Sequence, residues 1–96
     1  MRLDGRSEKR VTMAIPVCLV VAEKLHFAEQ AITVNVSSQG ARVVTRRRWQ
    51  PEEQPRLAWK SGEFRTQAKV VYCEPLPDGH FCIGLQFQSV FMDWKR

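Results

Sequence analysis

The stretch "EFRTQAKVVYCEPLPDGHFCIGLQF", residues 63–87, holds two apolar runs around one turn. In the first, Phe64, Thr66, Ala68, Val70 and Tyr72 alternate with mostly polar neighbours, the period-two pattern of a half-buried strand. "PLPDG" (75–79) reverses the chain on an Asp-Gly pair, residues that tolerate the left-handed backbone of a tight turn. "HFCIGLQF" (80–87) runs back as the second strand. The whole reads as an antiparallel hairpin.

The same grammar extends upstream. "RLAWK" (56–60) is a short strand closed by a Ser61–Gly62 turn, and "RRWQPEEQP" before it is a loop punctuated by Pro51 and Pro55. "GARVVTR" (40–46) and "KLHFAEQAITVNV" (24–36) are strands; in the latter Ile32, Val34 and Val36 are expected on the core face, against Thr33 and Asn35. "MAIPVCLVVA" (13–22) is β-branched, with Pro16 indicating an edge position or a bulge. Six short strands at regular spacing predict an all-β fold, an antiparallel barrel or sandwich. Residues 1–12 carry six charges and no apolar period, so they read as a flexible basic arm. The tail "QSVFMDWKR" has room for a very short C-terminal helical turn with Val90, Phe91 and Trp94 inward, which needs docking to hold its shape.

Ninety-six residues make one domain, with no sequence room for a second, catalytic one. No apolar run reaches the ~20 residues of a membrane helix, and the charged N-terminus lacks a signal-peptide stretch; the expected location is cytoplasmic, with no membrane partner. Cys18, Cys73 and Cys82 are widely spaced and odd in number, which predicts buried free thiols, although Cys73 and Cys82 could face each other across the hairpin. No zinc pattern, carboxylate pair or nucleophile beside His26 or His80 stands out, so no enzyme, metal or cofactor is expected. The net charge of +5 favours anionic partners.

Two motifs sharpen that preference. In "NVSSQG" (35–40), Asn35 and Ser37 are expected on the solvent face, offering an amide and a hydroxyl. Gly40 can take φ > 0 and admits a flat ligand to the backbone. An Asx turn with a glycine exit accounts for the same residues by geometry alone. In "RSEKR" (6–10), Arg6 and Arg10 are two planar forks that suit phosphates and the O6 and N7 acceptors of a guanine edge. A merely solvated basic arm is the competing account.

The ordered pair, Arg-x-x-x-Arg then Asn-x-Ser-x-x-Gly two strands on, resembles the PilZ domain family across nearly the whole chain. "GARVV", "AKVVY" and "IGLQF" look like that family's strands. The resemblance implies a six-stranded antiparallel β-barrel over 13–96, with the arm of 1–12 carrying Arg-x-x-x-Arg. It further implies a bacterial cyclic di-GMP receptor or adaptor acting in second-messenger control of motility or exopolysaccharide synthesis. By that analogy Arg6 and Arg10 grip phosphates and guanine edges, Asn35 and Ser37 bond a guanine, and Gly40 gives the close approach. The ligand is cyclic di-GMP, no cofactor is implied, and the arm orders on binding to alter the surface seen by a downstream protein effector. The chain departs from many relatives in having Asn35 for Asp, Gly5 for a further Arg before Arg6, and almost no C-terminal helix. A ligand-independent adaptor ranks second. A nucleic-acid-binding barrel ranks third: "TRRRWQ" (45–50) sets three arginines beside a tryptophan, as single-strand platforms do, but Glu52 and Glu53 follow at once.

Overall fold

The computed structural model describes residues 10–21, 28–61, 63–88 and 94. Its seven strands are β1 (Val11–Thr12), β2 (Pro16–Val20), β3 (Ala28–Val36), β4 (Gly40–Thr45), β5 (Arg56–Trp59), β6 (Phe64–Pro75) and β7 (Phe81–Phe87). Six of them close an antiparallel barrel in the order β3-β2-β5-β6-β7-β4, with β4 pairing back onto β3. The short β1 is the addition. It pairs Val11 with Val36 and Thr12 with Asn35, so the last two residues of the basic arm belong to the sheet. Between β1 and β2 the regular ladder with β3 lapses, although Met13 N still donates to Val34 O and Thr33 N to Ile15 O, and the buried Thr33 hydroxyl bridges the irregular stretch: it accepts from Ile15 N at 2.8 Å and donates to Met13 O.

The barrel interior is Val17, Leu19, Val43, Leu57, Val70, Ile83 and Leu85, all nearly inaccessible, with Trp49 and Trp59 the largest buried side chains. Closure gives every one of these strands two neighbours, which leaves no unpaired edge along most of the sheet.

The face assignment of β3 differs from the sequence expectation. Glu29, Ala31, Thr33 and Val36 are buried, while Ile32 and Val34 stand outside at 49% and 38% exposure. The register shifts between Thr33 and Asn35. Such a bulge adds one residue and inverts the phase of everything before it. Val36, beyond the bulge, faces inward as expected. A second bulge in β6, between Val70 and Tyr72, turns Tyr72 to the outer face, and Phe64 at the start of that strand is 56% exposed.

Cys82 is buried, but Cys18 and Cys73 are only half-buried. Cys73 pairs with Ile83, and Glu74 with Cys82. The two thiols therefore lie on opposite faces of the hairpin and do not meet. The Asp-Gly turn forms as expected: Gly79 has φ 94°, and Asp78 Oδ1 accepts from His80 N at 3.0 Å. Arg6 and the rest of 1–9, His26, and the tail positions Val90 and Phe91 lie outside the described residues. Among the described residues no helix is long and apolar enough to cross a membrane, and no His/Cys/Asp/Glu cluster could hold a metal ion.

Candidate functional site

Arg10 is exposed, one residue before β1, and its Nη1 donates to Asn35 Oδ1 at 2.9 Å. The contact follows from the β1–β3 register. Pairing Thr12 with Asn35 and Val11 with Val36 leads the arm out past the end of β3. Arg10 then emerges beside the first residue of "NVSSQG". Two residues 25 apart in sequence thus share one rim of the barrel.

Ser37 and Gly40 form the other half of the corner, in a different way from the one their sequence suggests. Ser37 is 4% exposed rather than solvent-facing. Its hydroxyl accepts from Gln39 N and Gly40 N, each at 3.2 Å, and its own N–H donates to Gly40 O at 2.9 Å. The serine staples the β3–β4 turn. Gly40 is buried and does not have the positive φ that a special turn position demands; among the described glycines only Gly79 does. A Cβ there would stand 2.5 Å from the Leu85 carbonyl oxygen. Close approach of β4 to β7 requires the glycine. Trp94 covers the corner from below, donating Nε1 to Ser37 O at 2.6 Å and packing on Trp59 and Phe87.

The row continues across the outer face. Asn35 pairs with Arg42, Arg42 with Gly84, and Gly84 with Tyr72. Directly paired residues share a face, so Thr12, Asn35, Arg42, Gly84 and Tyr72 form one outward line over five strands. Arg42 is half-buried and donates to Cys82 Sγ at 3.7 Å, and its Nε is buried without a hydrogen bond. The Cys82 thiol, and after it Tyr72, raise its already high affinity for the proton, so it is a cation at any ordinary pH. Sequence reasoning passed over Arg42 and Tyr72, because the pairing of β4 with β7 and the bulge before Tyr72 draw the line, and no local pattern encodes those.

The arginine loop after β4 is organised inward. Trp49 is 1% exposed and its Nε1 donates to Glu29 Oε1 at 3.1 Å. Glu29 Oε2 also accepts from the N–H groups of Arg46 and Arg47. Arg47 lies over the Trp49 ring at 4.1 Å and pairs with Glu53 at 3.0 Å. The tryptophan belongs to the core and offers no face to a base, which removes the stacking platform from the nucleic-acid reading. Glu29 was also invisible in the sequence: an apolar-strand glutamate signals nothing until its three donors are in place.

A family model for the PilZ domain matches residues 4–93. The chain belongs to the PilZ domain family. Its barrel is similar to the structure of Bacillus subtilis Inhibitor of motility (MotI/DgrA), with a TM-score of 0.71 and 21% identity over 94% of this chain. The chain spans 46% of that protein's length. No curated protein sequence matches it. PilZ domains are receptor and adaptor domains of the cyclic di-GMP type.

Proposed function

We propose that this PilZ domain is a cytoplasmic receptor for cyclic di-GMP, which it takes at the rim where Arg10 meets Asn35, and that binding is relayed to a protein partner. The observation carrying this reading is the 2.9 Å contact between Arg10 and Asn35, since it unites the two motifs on one surface. With Asn35 Oδ1 engaged by Arg10, the asparagine's NH2 is the end a guanine acceptor would meet, and the Arg10 fork suits a phosphate or the O6/N7 edge. Arg6, four residues further along the arm, supplies the second fork. Ser37 and Gly40 act by holding the corner in shape, with the Ser37 staple and the tight β4–β7 approach keeping Asn35 in position.

The arm orders fully on binding, as its guanidinium groups close on the ligand's phosphates and guanine edges. The outward apolar residues Met13, Ile32 and Val34 lie beside the rim, with Met13 N donating to Val34 O, and give a protein partner a surface next to the ligand. Motility is the first output to examine, given the inhibitor of motility among the similar structures.

Titration calorimetry of the full chain with cyclic di-GMP, GTP and cyclic GMP tests the proposal. A charge-assisted hydrogen bond is worth about 1.5–3 kcal/mol, so Arg10→Ala should weaken cyclic di-GMP binding by about ten- to a hundredfold. No heat with the wild-type chain, or unchanged affinity in Arg10→Ala, would overturn it.

A further inference from the structure

We infer that the outer face of β2, β3 and β4 is a docking surface for an acidic protein segment, which seats one aliphatic side chain between β3 and β4 and sets its carboxylates against Arg46. This names the chemistry of the partner. It rests on the partner half of the reading above and not on the identity of the ligand.

Three observations carry it. The first is an apolar floor that continues over three strands. Pro16, Ile32 and Val44 are directly paired across β2, β3 and β4, so they share a face. Val34 and Met13 extend the floor towards the rim, and Ile32, Val34 and Met13 are exposed. A lone exposed aliphatic needs no explanation. A contiguous group on the outside of a closed barrel, where strand positions are ordinarily polar, marks a contact surface.

The second is shape. Ile32 and Val44, with Gln30, Arg46 and His80, line a hollow of about 240 Å³. That is below the roughly 300–1,000 Å³ of small-molecule sites and suits a single anchoring side chain. The hollow recedes between the strands, whereas a surface that enters a membrane projects its apolar groups.

The third is charge. β2, β3 and β4 hold one carboxylate between them, Glu29. It is buried and engaged by Arg46 N, Arg47 N and Trp49 Nε1. The outward side chains of these strands therefore carry no negative charge. Arg46 is exposed, and among the described residues no carboxylate forms an ion pair with its guanidinium. His80 beside it already faces Asp78 at 3.2 Å. An uncompensated cation at the border of an apolar hollow complements carboxylates that flank an aliphatic anchor. Nucleic acid fits less well, since the neighbouring rings are taken: Trp49 is buried and Phe81 lies under Arg48 at 5.1 Å.

The chain has three isoleucines, Ile15, Ile32 and Ile83, and Ile83 in the core is an internal control for Ile32. A synthetic peptide with one leucine between two pairs of glutamates, titrated into the full-length protein to millimolar concentration, should shift the Ile32 δ1-methyl resonance saturably and leave that of Ile83 in place. The same peptide with lysines for glutamates should not. Arg46→Glu and Ile32→Ser should each weaken the glutamate peptide about tenfold. Arg46→Glu should keep wild-type affinity for cyclic di-GMP, because Arg46 follows the end of β4 opposite to Gly40 and the rim. Thermal melts separate lost docking from lost folding; if one variant fails to fold, the other and the lysine peptide still decide. An Ile32 methyl unmoved by the glutamate peptide, an equal response to the lysine peptide, or a response only to poly-uridine RNA or phosphatidylserine vesicles would overturn the docking surface. A chain that answers to the peptide but gives no heat with cyclic di-GMP would overturn the receptor reading and leave this surface standing.

Discussion

Replacing Gly40 by alanine separates two explanations of a motif glycine. If the glycine exists to let a ligand reach the backbone, the alanine variant folds normally and binds poorly. The structure favours a different cost. The new Cβ would meet the Leu85 carbonyl oxygen at 2.5 Å, and β7 would have to retreat by at least 0.5 Å to reach even the 3.0 Å limit of real contacts. Leu85 is paired with Ala41 on one side and Val70 on the other, so the carbonyl cannot move without loosening two ladders. Overpacking of this kind costs about 1–3 kcal/mol, and alanine returns about 0.4–1 kcal/mol through the unfolded chain. The net loss should be about 1–2 kcal/mol, with φ contributing nothing because Gly40 is not in the left-handed region. For a domain of this size each kcal/mol lowers Tm by about 4–8 °C, so the melt should fall by about 5–15 °C. Urea unfolding followed by tryptophan fluorescence measures it. Wild-type stability with lost ligand binding would refute the packing account and restore the ligand-approach one.

Glu29→Ala removes the acceptor for Arg46 N, Arg47 N and the buried Trp49 Nε1, and should destabilise the barrel by about 2–4 kcal/mol in urea; a change below about 0.5 kcal/mol would show that water replaces it. Thr33→Val deletes the hydroxyl bridging Met13 O and Ile15 N, and should cost about 1–2 kcal/mol while speeding amide exchange at Ile15; unchanged exchange there would mean that the break between β1 and β2 holds without it. The backbone N–H of His80 keeps the Asp78 carboxylate below its ordinary 3.8. A depressed folded value means the turn's contribution is complete above the ordinary value and disappears as pH falls through the folded one. Carboxyl-carbon NMR should find the Asp78 midpoint below 3.8, and a higher midpoint would contradict the hydrogen bond.

Much of this protein is local, and local features can be read from the chain. Alternation and β-branching located β2 to β7 in order, Asp78–Gly79 located a turn, and the two motifs pointed to one family before any geometry existed. These depend on neighbours within a few residues, where backbone preference and period-two burial act. What sequence could not reveal is register. Bulges in β3 and β6 reverse which side chains face outward, so Ile32 and Val34 point to solvent, and Asn35, Arg42 and Tyr72 come into line. Ser37 turns inward to staple the corner, Gly40 answers to a carbonyl on β7, and Trp49 turns into the core to meet Glu29. Each of these depends on a strand distant in sequence. One inserted residue flips a face at no cost that composition records, and only the closed sheet selects where it goes.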